Sequence, residues 1–180
     1  MLIREITTTD KPAYQALVHN AYQSVLDLGI HFAAATSDSN LIETHIKTNL
    51  VYGLFIEHDL VCSLSLRLPW GNNPGPYGVP HIGWFATDPA YKKQGLATKL
   101  LNWVEKNILL DQLKTPFVTL GTAANHPWLT DFYIKQGFTE IGRADLSDDH
   151  TTIYYRKVLN LELFELWQKY HPNKNFMTIN

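Results

Sequence analysis

Apolar residues recur along this chain with two periods, and the switches between them lay out its elements. Tyr14, Leu17, Val18, Ala21, Tyr22 and Val25 return at three- and four-residue spacing, which is one face of a helix. Thr9 or Asp10 is placed to cap that helix, Pro12 falls in its first turn and Gly29 closes it. Residues 2–6 ahead of it read as a short strand, and residues 31–36 as an irregular stretch. A second helix starts within residues 37–40 and carries Leu41, Ile42 and Ile46. The period then changes to two. Cys62, Leu64, Leu66 and Leu68 alternate with Val61, Ser63, Ser65 and Arg67, as in a strand with one apolar face. Residues 51–57 form its hairpin partner across a tight turn at His58-Asp59.

Residues 69–80, PWGNNPGPYGVP, are too rich in Pro and Gly for regular structure. A loop of this length is expected to serve as a lid over a site or as a surface excursion. A strand follows at residues 81–87. A helix over residues 95–110 buries Leu96, Leu100, Leu101, Val104 and Ile108, and residues 117–120 are again a strand. Strand, helix, strand in this order makes a parallel pair with a right-handed crossover. Pro127 opens a further helix that Gly137 stops. Residues 138–143 and 151–158 pair as a hairpin around the acidic loop 145–149, and residues 159–170 form a terminal helix before a polar tail. The fold class is therefore α/β, a mixed sheet of about seven strands. Its N-terminal part is antiparallel, one βαβ step is parallel, a hairpin ends it and helices flank it. The expected division is one domain over residues 1–159, with residues 160–180 packing on it or forming a dimer contact.

Composition narrows the classes. A chain of 180 residues with 45% hydrophobic and 18% charged residues supports its own core. A net charge of −2 lacks the basic excess of a nucleic-acid binder. The single cysteine, Cys62, excludes an internal disulfide, and its place on the apolar strand face marks it as structural. The first residues carry Arg4, Glu5, Asp10 and Lys11 rather than an apolar signal segment, and no run is long enough to span a bilayer. The expectation is a cytoplasmic protein with no membrane or nucleic-acid partner and no metal.

The chemistry centres on the segment 84–101, WFATDPAYKKQGLATKLL. A loop with Lys92, Lys93 and Gly95 feeds a helix start there. Such a start presents unpaired N–H groups and the positive end of the helix dipole, which suits a phosphate or pyrophosphate.

Several of these segments resemble the GNAT superfamily of N-acetyltransferases. Lys92-Lys93-Gln94-Gly95-Leu96-Ala97 is similar to the family's (Arg/Gln)-x-x-Gly-x-(Gly/Ala) loop. Phe85-Ala86-Thr87-Asp88-Pro89 matches the strand and turn ahead of that loop. Phe132-Tyr133-Ile134-Lys135-Gln136-Gly137-Phe138 is similar to (Leu/Phe)-Tyr-x-x-x-Gly-Phe. The order of elements agrees over residues 2–158. Two departures stand out. Lys92 occupies a position where Arg or Gln is usual. The Asn that the family places seven residues before the Tyr is here Asn125, eight before Tyr133, with His126 at seven.

The resemblance implies transfer of an acetyl group from acetyl-CoA to the primary amine of a small molecule, by direct attack in a ternary complex. It assigns the pyrophosphate to the amides of residues 93–98, namely Lys93, Gln94, Gly95, Leu96, Ala97 and Thr98, with Lys92 adding charge. Pantetheine would add to the strand edge at Phe85, Ala86 and Thr87, and the Phe85 N–H would polarise the thioester carbonyl. Asn125, or His126, would touch the cofactor. Tyr133 matches the general acid for the departing thiolate. His81 takes the place of the family's base, with His31 as a second candidate for that role. Phe32, Trp70, Tyr77 and Trp84 are candidates to line the acceptor pocket together with His31. The competing readings are a protein or peptide N-acetyltransferase and a non-catalytic acyl-CoA-binding module.

Overall fold

A computed structural model describes residues 1–126, 128–147 and 150–172. The acidic loop positions 148 and 149, the helix-opening Pro127 and the tail from residue 173 lie outside the described residues. Seven strands make one sheet: β1 (Leu2–Glu5), β2 (Leu50–Ile56), β3 (Asp59–Arg67), β4 (His81–Thr87), β5 (Phe117–Ala123), β6 (Thr139–Ser147) and β7 (His150–Val158). Their spatial order is β1-β2-β3-β4-β5-β7-β6. Every neighbouring pair is antiparallel except β4 and β5, which run parallel. This is the mixed sheet expected from the pattern of periods.

Six α-helices flank it: α1 (Lys11–Leu26), α2 (Ala33–Thr36), α3 (Ser39–Thr48), α4 (Leu96–Val104), α5 (Leu129–Lys135) and α6 (Leu161–Tyr170). On one face, Leu96, Leu100, Leu101 and Val104 of α4 join Leu64, Leu66, Ile82, Val118, Leu120, Tyr133 and Phe138 in the main core. On the other, Tyr14, Leu17 and Val18 of α1 and Ile42 and Ile46 of α3 cover Val51, Phe55, Leu60 and Ala86. Phe164 of α6 packs edge-on against Phe117, with ring centroids 5.4 Å apart. No helix among the described residues is long and apolar enough to cross a membrane.

Local departures from the sequence expectations have local causes. Asp10 does not cap α1 forward. Its carboxylate turns back to take both arms of Arg4, at 2.8 and 2.7 Å, and the Thr7 N–H, so the chain enters α1 through the 3-10 turn Thr8–Asp10. The hairpin turns at Glu57-His58 rather than His58-Asp59, with Glu57 in the left-handed region at φ 55°. Residues expected to be irregular include the short α2. The helix after Gly95 becomes π-helical over Glu105–Leu110, where buried Glu105 receives Lys157 at 2.8 and 2.6 Å. In β3 the intervening Val61, Ser63 and Ser65 are as buried as the leucines, because helices cover both faces of the sheet.

Those serines belong to a polar seam on the α1/α3 face. His45 stacks on Trp84 at 3.8 Å, and His81 Nδ1 lies 2.9 Å from the Thr119 hydroxyl. Burial, followed by the charge of Arg67, lowers His45 to about 4 and His81 to about 3. His126 is lowered by burial and by Lys92. In the unfolded chain each imidazole takes its proton near 6.5. Below that pH the unfolded state binds the extra protons, so stability falls as the pH drops toward the folded values. The Asp10 and Glu43 carboxylates, held near 2 by Arg4 and by Lys47 with Lys11, lose their contribution only in more acid solution. Calorimetry should therefore show a thermal midpoint steady above pH 7 and lower by roughly 5 °C or more at pH 4.5. His45→Gln should flatten part of that slope. An equal slope in the variant would remove His45 from this accounting.

Candidate active site

The site is built where β4 and β5 part. The two strands pair only at His81 with Thr119 and at Ile82 with Leu120, although both continue past those residues. From Gly83 to Thr87 the β5-facing edge of β4 has no ladder partner. On its other edge β4 carries a bulge. Gly83 pairs with Ser65 and Ala86 with Ser63, so Trp84 and Phe85 together oppose Leu64. Trp84 takes φ 43°, a conformation that a bulky residue adopts only when its surroundings hold it there. The stack on His45, with Tyr14 at 6.4 Å on its flank, supplies that hold. A bulge re-aims the backbone around it, here at Phe85.

The loop after β4 has the backbone of an anion cradle. Asp88 caps a short turn by accepting from the Ala90 N–H at 2.8 Å. Lys93 and Gly95 are both left-handed, at φ 63° and 75°. Gly95 is the N-cap of α4 and offers no side chain to the first helical amides, so the N–H groups of Leu96, Ala97 and Thr98 keep no side-chain cap. Lys92, Lys93 and Gln94 are exposed around them. These groups fit a diphosphate.

On the far side of the gap stands α5. Gly137 at φ 87° ends it, and the Phe138 N–H closes on the Tyr133 carbonyl at 3.0 Å. That stop drives Phe138 into the main core and leaves Tyr133 packed between Phe138 and Tyr155. The Phe132 ring meets the Phe85 ring at 6.1 Å, so the free strand edge and the Tyr133 helix face one gap. Burial, then neighbouring Tyr22 and Tyr155, raise the Tyr133 phenol above its ordinary range. Tyr22 comes from α1 on the opposite face and reaches Tyr133 across the gap between the strands.

The other expected site residues are distributed unevenly. Phe32 is half-buried, edge-on to Tyr22 at 6.1 Å and to His150 at 5.0 Å, and so bridges α1 and the β6–β7 hairpin above the gap. His31 beside it is exposed. Asn125 is exposed, whereas His126 is buried, close enough to Lys92 to feel its charge, and its Nδ1 has no hydrogen-bond partner among the described residues. Trp70 is 72% exposed and lies with Pro80, Pro116 and Trp167 at the start of the parallel strands, the opposite end from the Gly95 loop. Tyr77 is buried with Val79, Phe117, Tyr154 and Phe164. Cys62 is inert, its thiol pushed up to about 12 by burial, 3.2 Å from the Thr87 hydroxyl.

His81 sits apart from Phe85 and Tyr133, at the paired end of β4, under the loop 69–80. A Cβ on Gly75 would stand 2.4 Å from the His81 Cβ, so that glycine is what lets the loop close over the ring. An imidazole near pKa 3 has little affinity for a proton taken from an ammonium group. This geometry favours a packing role.

The periodicities passed over one feature, a cleft on the α1/α3 face. Gly121 is exposed although β5 lies inside a seven-stranded sheet, so the helical cover is open above it. A Cβ there would meet Thr152 and Tyr154 at 3.1–3.2 Å, and one on Gly83 would meet Ser65 and Arg67 at 3.5 and 3.8 Å. Two glycines in central strands thus floor a cleft between Trp84 with His45 on one side and Tyr154 on the other. A glycine inside a strand marks a close approach, which was the available signal.

Residues 15–138 match the model of the acetyltransferase (GNAT) family. The chain is 47% identical over 147 residues to the S-(2-succino)cysteine N-acetyltransferase of Bacillus subtilis (strain 168), covering 82% of this chain and 89% of that one. It is 34% identical over 164 residues to the S-alkylcysteine N-acetyltransferase of the same organism, covering 91% and 92%. Among solved structures, the PaiA N-acetyltransferase of Thermoplasma acidophilum in complex with coenzyme A aligns with a TM-score of 0.68 at 15% identity, over 87% of this chain and 98% of that one. The ribosomal-protein-S18-alanine N-acetyltransferase of Escherichia coli aligns with a TM-score of 0.68 at 18% identity, over 88% and 94%. At such identities the structures speak for the fold, and the family match together with the two Bacillus relatives speaks for the activity. The chain belongs to the GNAT family of acetyltransferases and is an N-acetyltransferase.

Proposed function

We propose that this enzyme acetylates the α-amine of S-substituted cysteines, by direct attack of the amine in a ternary complex. The observation that carries this reading is the 47% identity to a cysteine-conjugate N-acetyltransferase over 82% of the chain. The second relative, at 34%, acts by its name on another S-substituted cysteine. The names of both relatives point to a small acceptor rather than a peptide.

Acetyl-CoA, the co-substrate used by the family, supplies the activated acyl group as a thioester. The uncapped amides of Leu96, Ala97 and Thr98, with Lys92 and Lys93, would hold its diphosphate. Residues 85–87 would hold its pantetheine arm along the β4 edge. From the bulge, the Phe85 N–H would donate to the thioester carbonyl, favouring the charge that develops there during attack. Tyr133 would give its proton to the departing sulfur as the C–S bond breaks and the new C–N bond is complete. Dry surroundings keep the phenol protonated, and the same surroundings disfavour a free thiolate. The amine needs no strong base. The α-amine of a cysteine conjugate gives up its proton more readily than a lysine ammonium, which holds it to about 10.4. Water in the cleft would accept that proton, with His81 remaining neutral beneath the loop 69–80.

Release of free thiol from acetyl-CoA should be fastest with S-ethylcysteine and S-(2-succino)cysteine, at least tenfold above lysine or a short peptide in kcat/KM. Equal turnover on the peptide would move the acceptor to a protein terminus, and tight acetyl-CoA binding without turnover on any amine would leave a binding module. Tyr133→Phe should lower kcat by about 10–100-fold with the KM for acetyl-CoA changed less than twofold. Full activity in that variant would remove Tyr133 from the reaction. His81→Gln should keep the pH–rate profile of the parent. A rate lost near neutral pH and regained in alkaline solution would restore His81 as the base.

A further inference from the structure

Arg67 is the cation nearest the cleft floor, and it has no counter-ion among the described residues. It ends β3 opposite His81. Its Nε–H donates to the Asn73 carbonyl at 2.8 Å, and its Nη2 to the Pro74 carbonyl at 2.7 Å and the Asn73 side-chain oxygen at 3.3 Å. All three acceptors are neutral, and all belong to the loop 69–80. They fix the guanidinium plane while leaving Nη1 without a partner among the described residues. The ionisable groups that sense its charge are His45, His81 and Tyr154. The first two are neutral at pH 7, and burial holds the Tyr154 phenol protonated. A half-buried positive charge surrounded only by neutral groups is costly in a finished fold. A bound anion would relieve it.

The room for that anion lies beside it. Gly83 leaves open the space that a side chain would fill next to the Arg67 Cδ and Ser65 Oγ. Ser65 already donates to the Gly83 carbonyl at 2.7 Å and does not compete for a ligand. Ser63, one strand repeat along β3, is fully buried and its hydroxyl has no partner among the described residues. Gly83 precedes Phe85 by two positions, with only the bulged Trp84 between them. A group held at Arg67 would therefore lie one short molecular span from the Phe85 edge.

We propose that Arg67 binds the α-carboxylate of the acceptor, orienting the neighbouring amine toward the β4 edge. This rests on the acceptor class inferred above. A guanidinium matches a carboxylate with two parallel N–H donors, and it keeps its charge at every physiological pH. The proposal also gives the Pro- and Gly-rich loop a task. Its carbonyls at Asn73 and Pro74 aim the arginine, and Gly75 lets it settle over His81.

The experiment compares S-ethylcysteine with S-ethylcysteamine, which keeps the amine and thioether and lacks the carboxylate. In the wild-type enzyme the ratio of kcat/KM for the two should be about 100, carried mainly by KM. In Arg67→Gln it should fall below about 10, and Arg67→Lys should recover part of it, since charge is kept and fork geometry lost. A wild-type ratio near 1 would overturn the anchor while leaving acetylation of cysteine conjugates standing. So would a ratio equal in wild type and Arg67→Gln. Acetylation of other amines but neither of these two would overturn the acceptor class and the anchor together. A wild-type ratio near 1 overturns the anchor even where a variant fails to fold.

Discussion

Everything in this active site depends on how briefly β4 and β5 hold together. Two residue pairs join them at His81 and Ile82, and then the strands separate. Had the ladder continued to Thr87, the β4 edge would be spent on β5, and none of it would be left for a ligand. The separation is enforced from the side of β3. The bulge at Trp84 and Phe85 turns β4 out of register, and the His45 stack holds Trp84 in a backbone conformation it would not choose alone. The gap also lets the two faces communicate. Tyr22 from the α1 layer and Tyr133 from the α5 layer lie near each other across it. In the proposed mechanism, cofactor chemistry on one face and acceptor binding on the other would share that opening.

The α1/α3 side of the gap is unusually polar for the interior of a small domain. Ser63, Ser65, His45, His81 and Thr119 are all buried there. Two of the histidines remain neutral because protonation beside Arg67 and away from water is unfavourable. The arginine's partners are carbonyl and amide oxygens, which orient without neutralising. A core optimised for stability alone would fill this seam with aliphatic side chains. Its place beside the strand edge, with glycines at 83 and 121 in the adjoining strands, suits the acceptor-binding surface proposed above.

How much of this was visible along the chain follows from the range of the interactions concerned. Gly95 and the helix after it form a local unit, since the helix start, the left-handed glycine and the lysines all lie within six residues. Tyr133, Gly137 and Phe138 are another, because the helix stop that buries Phe138 also sets the Tyr133 ring. Period-two and period-3.6 patterns report burial one element at a time, and they placed all seven strands. They erred where a short polar side chain had two partners to choose from, as Asp10 chose Arg4 over the α1 amides.

Other assignments depended on contacts between elements distant in sequence. Trp70 and Tyr77 belong to one loop, yet one ring is exposed at the far end of the sheet and the other is buried against Tyr154 and Phe164. Nothing within residues 69–80 separates them. His81 was legible as a histidine at the right strand position. Its burial under Gly75, its bond to Thr119 and its low proton affinity come from three other segments. Arg67 read as the polar end of an alternating strand, and its missing counter-ion is a property of the whole surroundings. Local chemistry and local geometry are written into short stretches of chain, because helix starts, helix stops and strand periods need only neighbours. Desolvation, uncompensated charge and the room left by two glycines exist only once the sheet has brought β3, β4, β5 and β7 side by side.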